Sequence, residues 1–344
     1  MKYITFTVPC YNSEEYMRHC IDNLVAVGDD IEVIIVNDGS TDATGEIAAE
    51  YEKKDPTIVK AIQKENGGHG SGVMAGIHNA RGIYYKVVDS DDWVETKDVL
   101  SMVEIIKKNL HEQKVVDLYI TNYVYEHMSD DTRYVMHYRK YLQRDTIFSW
   151  GDMKRVNLET VFLMHSLMYR LDVLKESKME LPNHTFYVDD AYAYIPLPYV
   201  KSVYYHDIDL YHYYIGREGQ SIDYETMCSR YEQQVRVFDM MYDAYSLETL
   251  KSYPRPFYKY MYQFLMIICA IANMTIIGTT KDKEVRKVAL KKFWSRLRDK
   301  DIKLYRKLRH RSPCGLAFLV PFYRLRTAIV RAMYRFYQKR LKIG

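Results

Sequence analysis

Four short stretches place carboxylates, amides and hydroxyls where an apolar run stops. They are Pro9-Cys10-Tyr11-Asn12, Asn37-Asp38-Gly39-Ser40-Thr41-Asp42, Lys64-Glu65-Asn66-Gly67-Gly68-His69-Gly70 and Asp89-Ser90-Asp91-Asp92. Hard divalent cations favour oxygen ligands, and one or two carboxylates suffice when a phosphorylated ligand supplies other oxygens. Asp89 and Asp91 fit that demand, because residues two apart at a strand end point the same way, with Ser90 turned elsewhere. Asp, Asn, Gly and Ser also make ordinary turns. Turn-making does not account for four such segments at successive strand ends.

The elements that must position them follow from the runs between. Tyr3 to Val8, Glu32 to Asn37, Ile58 to Gln63 and Tyr84 to Val88 are short, rich in Ile, Val, Tyr and Thr, and read as buried strands. Helical stretches are expected over 14–27, 41–54 and roughly 72–80. The alternation predicts an α/β fold, a mostly parallel central sheet flanked by helices. Ligands of such sheets bind beyond the carboxyl ends of the strands, where the four polar segments lie. The helix from Thr41 opens on Ser40, Thr41 and Asp42, which are expected to cap it. A dinucleotide-binding fingerprint would place G-x-G-x-x-G after the first strand, and a P-loop needs G-x-x-x-x-G-K-[ST]. Neither is present. Gly68-His69-Gly70-Ser71-Gly72 follows the third strand and is either a loop near phosphate or a permissive helix start, with His69 equally open.

Composition narrows the setting. The chain has 344 residues, 15 Gly and 9 Pro, so long linkers are not expected. Its five cysteines (Cys10, Cys20, Cys228, Cys269 and Cys314) are odd in number and form no CxxC pair, which favours a reducing cytoplasm over a disulfide framework. Met1 and Lys2 lead directly into a strand-like run without a signal-peptide pattern, so secretion is not expected. The net charge of +4 conceals an acidic body and a basic tail. After Thr280 there are about twenty Lys and Arg against about four acids.

Val8-Pro9-Cys10-Tyr11-Asn12, Val36-Asn37-Asp38-Gly39-Ser40-Thr41-Asp42, Lys64-Glu65-Asn66-Gly67-Gly68 and Val88-Asp89-Ser90-Asp91-Asp92-Trp93 together resemble the ordered signature of family 2 glycosyltransferases. The resemblance is close over the first hundred residues and looser to about residue 222. It implies a GT-A catalytic domain over 1–222 and a helical region with a basic amphipathic tail over 223–344. It also implies an inverting transfer from a nucleotide sugar, favouring UDP, with a divalent cofactor, Mn2+ or Mg2+, on the D-x-D pair. In this resemblance Asp91 is the principal metal ligand and Asp89 contacts the metal or the ribose. Asp38 bonds the imide of uracil, beside Pro9 and Tyr11. The donor site is completed by Asn12, Lys64 and Ser90, and by Arg217 and Ser221 in Tyr211-His212-Tyr213-Tyr214-Ile215-Gly216-Arg217-Glu218-Gly219-Gln220-Ser221-Ile222, which resembles the segment closing over the diphosphate. His212 either completes the metal shell or packs in a Tyr-rich strand. Thr185-Phe186-Tyr187-Val188-Asp189-Asp190-Ala191 resembles the acidic pair whose second member is the catalytic base, here Asp190; a plain helix cap is the alternative. Processive members carry Q-x-x-R-W. Gln233-Gln234-Val235-Arg236-Val237 lacks the Trp, and is read as a helix surface in an enzyme adding one sugar per encounter.

The remaining expectations concern partners. The apolar stretch from about Phe257 to Gly278 is interrupted by Lys259, Gln263 and Asn273, and is read as a buried or interfacial helix rather than a span. Leu325, Ile329, Met333 and Phe336 recur at helical spacing among arginines, and Lys291 to Arg298 repeats that chemistry with Trp294 as an interfacial anchor. The acceptor is expected to be a cell-envelope glycan, teichoic acid or lipid-linked glycan, at the inner face of the cell membrane. A homo-oligomer is allowed, and nucleic acid is not an expected partner, because it explains the cations but not the aspartates. The rival to an enzyme is an inactive membrane-tethered adaptor of the same fold, which would be expected to lack Asp91 or Asp190.

Overall fold

The structure, a computed structural model, describes residues 1–127, 131–154, 161–216, 224–279 and 282–311, together with Leu325, Ala328, Ile329 and Ala332. The chain divides into two compact units, the first made of Met1–Lys154 and Phe162–Tyr214 and the second mainly of Ile215 onward.

The first unit begins with alternating strands and helices: β1 (Ile4–Cys10), α1 (Met17–Val25), β2 (Ile31–Asp38), α2 (Thr44–Lys54), β3 (Val59–Lys64), α3 (His69–Asn79) and β4 (Tyr84–Val87). It continues with β5 (Trp93–Val94), α4 (Thr96–His111), β6 (Leu118–His127), β7 (Thr132–Met136), β8 (Ile147–Phe148), β9 (Leu167–Arg170), α5 (Leu171–Glu176), α6 (Val188–Tyr194) and β10 (Val203–Ile215). The sheet order is β3-β2-β1-β4-β9-β6-β10-β5, with β7 on β6 and β8 on β10. Its first four strands are parallel, with Ile4 facing both Ile31 and Tyr84. β9 then runs antiparallel to β4 and to β6. Every residue of β1 and β2 is buried, as expected of central strands covered on both faces. α3 lies close on the sheet because it carries no side chain at Gly76, where a Cβ would overlap Thr7 Oγ1 and the Tyr85 hydroxyl.

Two local expectations change. β4 stops at Val87, and the Asp92 N–H donates to the Asp89 carbonyl at 3.0 Å, so the acidic segment is a turn rather than a strand end with alternating side chains. α2 starts at Thr44 behind Ala43, and its exposed amides are met by Asp42 Oδ1 (Thr44 N–H, 3.1 Å) and by Glu14 Oε2 (Ala43 N–H, 2.8 Å).

The second unit holds α7 (Tyr224–Ser229), α8 (Tyr231–Ala244), α9 (Leu247–Ser252), α10 (Arg255–Gly278), α11 (Lys283–Lys300) and α12 (Ile302–Arg311). α10 is long and apolar enough to cross a membrane by length and composition, yet 61% of its most apolar window is buried. Its covered face includes Phe257, Met261, Phe264, Leu265 and Ile268. Trp294 is only 7% exposed and lies 5.2 Å beneath the Arg309 guanidinium, so it packs inside this unit and is not an interfacial anchor. Gln234 on α8 is 1% exposed, which makes Gln233 to Val237 a partly internal segment rather than a helix surface.

Candidate active site

The polar segments meet at the carboxyl edge of β1 to β4, and several of their groups bond to one another. Asn12 adopts a left-handed conformation (φ 50°); its N–H donates to Ser40 Oγ at 3.0 Å and its Oδ1 accepts the Thr41 N–H at 2.9 Å. The β1–α1 and β2–α2 loops are thereby pinned together. Ser90 Oγ lies 2.8 Å from Ser13 Oγ, which ties the acidic turn to the same loops. Pro9 is buried against Gly72, whereas Tyr11 is 55% exposed at the edge.

Asp38, at the end of β2, is enclosed. Its Oδ1 accepts the Gly67 N–H at 2.9 Å and Lys64 Nζ, and its Oδ2 accepts the Gly68 N–H at 2.6 Å. Its side chain is 4% exposed. The residue expected to read uracil thus straps the β3–α3 loop. That loop reaches onward, since the Gly67 carbonyl accepts the His184 N–H at 2.6 Å. His184 opens the turn that leads through left-handed Tyr187 (φ 66°) into α6 and Asp190.

His69, the first residue of α3, joins the acids on both sides. Its Nε2 lies 2.8 Å from Asp89 Oδ1. Burial alone would lower its proton affinity, but the Asp89 charge and hydrogen bond outweigh burial, with Asp189 and Asp91 adding to the effect; the imidazole is held above its usual range. Conversely, burial would raise Asp89, and His69 holds it below the usual carboxylate range. Asp190 is pushed well above that range by burial and then by Asp189. Asp89, Asp91, Asp189 and His69 therefore share one electrostatic neighbourhood, with Asp190 beside it.

Asp92 is the most deeply set acid of the turn, 1% exposed. Its Oδ2 accepts the Tyr211 hydroxyl at 2.5 Å and its Oδ1 the Tyr214 N–H at 2.9 Å, both from β10. The Asp89 N–H donates to the same Tyr211 hydroxyl at 3.2 Å. Burial, with Asp91 and Asp89 nearby, raises Asp92 well above the ordinary range. Beneath the turn, buried His165 offers a ring nitrogen, and its donor atom and one oxygen each of Asp89 and Asp92 lie within 4.8 Å of one another. This mixed set of carboxylate and imidazole donors fits a divalent cation. Lys86, fully buried in β4, donates to the His165 carbonyl at 2.5 Å, and burial brings it down to about 7. His212 faces elsewhere: it stacks on Trp93 at 5.2 Å and its Nδ1 is 2.7 Å from Glu126.

With that geometry stand the relationships to known proteins. The family model of glycosyl transferase family 2 matches residues 5–175. The chain belongs to glycosyl transferase family 2. GlyA, a glycosyltransferase of Streptococcus pneumoniae, is 35% identical over 161 residues, 44% of this chain and 22% of that protein. EpsH of Bacillus subtilis is 33% identical over 212 residues, 56% of this chain and 59% of that protein. The match thus spans a fifth to three fifths of these relatives' length. TarS of S. aureus (residues 1–349, in complex with UDP-GlcNAc) superposes with a TM-score of 0.62 at 19% identity, covering 97% of this chain and 92% of that one. A mannosyltransferase from Pyrobaculum calidifontis, in complex with GDP-Man and Mn2+, gives 0.51 at 15%, covering 95% and 86%. At these identities the shared property is the fold.

Within this family 2 domain the structure brings together Pro9, Tyr11, Asn12, Asp38, Lys64, Asp89, Ser90 and Asp91 at the strand edge, and it connects Asp190 to them through the His184 bond. Arg217 and Ser221 lie outside the described residues. His165 and Tyr211 carry no sequence signal for their places here, because each is brought to the acidic turn from a distant strand or turn; Lys86 stands in β4 itself, but its contact with the His165 carbonyl depends on that distant turn. Asp92 was visible as an acid, but its burial depends on β10.

Proposed function

We propose that this chain is a metal-dependent, inverting glycosyltransferase that moves a sugar from a UDP-sugar to a hydroxyl of a cell-envelope or lipid-linked glycan. The observation that carries the reading is the shared neighbourhood of the D-x-D acids and the α6 acids around His69. A transferase needs leaving-group stabilisation and a base on opposite sides of one sugar, and these are the two acid sets such a reaction requires. The UDP-GlcNAc complex of TarS supports a UDP donor, and the Mn2+ complex of the mannosyltransferase supports a cation.

Asp89 and Asp91 would hold the divalent cation, which supplies positive charge to the departing diphosphate. Asp38 acts as a positioning residue, because it fixes Lys64 and the Gly67-Gly68 backbone where a donor would lie. Tyr11 offers an exposed ring for the base. Asp190, whose affinity for a proton is raised, takes the proton from the acceptor hydroxyl as that oxygen attacks the anomeric carbon. Attachment to the inner face of the membrane would come from residues 312–344, which hold seven Lys and Arg and no acid. The four described cysteines, Cys10, Cys20, Cys228 and Cys269, are all buried.

A screen of nucleotide sugars for hydrolysis, with and without Mn2+ or Mg2+, tests the reading. UDP-sugar turnover that needs the metal is the expected result. Turnover unaffected by a chelator, or confined to GDP- or dTDP-sugars, overturns the metal or the donor respectively.

A further inference from the structure

Sequence spacing puts the cation on Asp89 and Asp91, but the fold sets a second group of donors under Asp89. One oxygen of Asp89, one of Asp92 and one ring nitrogen of His165 lie within 4.8 Å of one another. Donors about 2.1 Å from an octahedral ion are about 3 Å apart when adjacent and about 4.2 Å apart when opposite, so small side-chain adjustments bring these three onto one ion. Asp92 keeps lone pairs for this purpose beyond those used by Tyr211 and Tyr214.

His165 is the least committed member of this group. The residue is 8% exposed, and its Nδ1 is buried with no hydrogen-bond partner. The ring is packed among aromatic side chains, meeting Tyr211 at 4.7 Å, Tyr213 at 4.9 Å and Tyr123 at 5.4 Å. An unmet buried polar atom costs about 1–3 kcal/mol, so its retention needs a reason. Its backbone is clamped from behind, the carbonyl accepting Lys86 Nζ at 2.5 Å. Two other histidines are near. His212 is committed to Trp93 and Glu126, and His69 meets Asp89 by a direct hydrogen bond from α3.

We infer that His165 supplies a nitrogen ligand to the cation held at Asp89, with Asp92 completing a floor of three donors. The inference rests on the metal-dependent reading above. Imidazole suits Mn2+, Co2+ or Zn2+ better than Mg2+, which favours oxygen and keeps its waters. Asp91, half-buried in the same turn, stays available as a further oxygen ligand beside these three.

The test is pulsed EPR on the full chain loaded with Mn2+ and UDP. Modulation from a 14N nucleus is expected, replaced by 15N lines when histidine alone is 15N-labelled. The signal should vanish in His165→Gln and persist in His69→Gln. Calorimetric titration should show His165→Gln losing at least roughly tenfold in Mn2+ affinity while Mg2+ affinity moves far less. Bound Mn2+ without histidine nitrogen, or a signal lost in His69→Gln and kept in His165→Gln, overturns the inference and leaves metal dependence standing. Failure of Mn2+ to bind at all would remove both. Should His165→Gln not fold, the labelled wild-type chain and His69→Gln still decide: a nitrogen signal surviving in the latter supports His165, and its loss refutes it.

Discussion

Replacing Asp38 by Asn separates a strap from a base-reading contact. The carboxylate accepts two backbone N–H groups, from Gly67 and Gly68, and Lys64 Nζ, while only 4% exposed. Asn keeps one oxygen, so one of the two amides faces an NH2 group instead of an acceptor. Losing a charge-assisted bond costs about 1.5–3 kcal/mol, and stranding a buried N–H adds about 1–3 kcal/mol before relaxation. Lys64 is 23% exposed and can turn to water, so its share is small. A net loss of about 2–4 kcal/mol follows, or roughly thirty- to several-hundred-fold in the unfolding equilibrium. Urea unfolding reports it, with Trp93 and Trp150 as fluorescent probes of the first unit, and UDP titration by calorimetry runs beside it. Stability within roughly 0.5 kcal/mol of wild type together with lost UDP binding would refute the reasoning and return Asp38 to direct contact with the base.

Asp91→Ala should abolish transfer at practical metal concentrations while circular dichroism stays unchanged; activity that persists in chelator removes the metal from the mechanism. Asp190→Asn should keep UDP-sugar binding and lower kcat by roughly two to four orders of magnitude, whereas a parallel loss of binding would make Asp190 structural. Because burial and Asp189 raise Asp190, its base form is depleted at low pH and kcat should climb with pH across a range above the ordinary carboxylate range. Asp189→Asn removes the like charge and should move that limb to lower pH; an unmoved limb would separate the two acids. Removing residues 312–344 should release the protein from anionic vesicles, since its seven basic residues contribute about 1 kcal/mol each near such a surface. Binding of the intact chain should weaken as salt shortens the screening length from about 10 Å to about 3 Å. Truncation at Lys281, by contrast, would also remove α11 and α12 and uncover the apolar surface under Phe293, Leu297 and Leu304.

What could be read in advance was local. β1 to β4 announced themselves through short apolar runs, and each was followed by its polar segment, so the edge and its acids were legible. The orientation of the acidic turn was not. Two-residue alternation holds only while a strand lasts, and β4 ends at Val87. Asp92 looked like an afterthought to the D-x-D pair, yet it is anchored to the sheet by Tyr211 and Tyr214. His165 sits in an apolar stretch without any spacing signal; only the pairing of β9 with β4 and β6 brings it beneath the site. The same limit applied to Trp294, whose basic neighbours suggested a membrane while its ring packs inside the helical unit.

The bonds from β10 to Asp92 also set a timetable for synthesis. Tyr211 and Tyr214 follow Asp92 by 119 and 122 residues. At about 5–20 residues per second, a ribosome delivers them roughly 6 to 24 seconds after the acidic turn has been made. During that interval β1 to β4 can already pair, since their partners are close in sequence, and the nascent chain can carry its nucleotide-side loops. Asp92, though, has neither of its β10 donors and remains a solvated carboxylate on an unfinished sheet. A ribosome-bound fragment ending before β10 therefore has the outline of the donor site without its acidic floor, and activity becomes available only once the last strand of the sheet has been inserted.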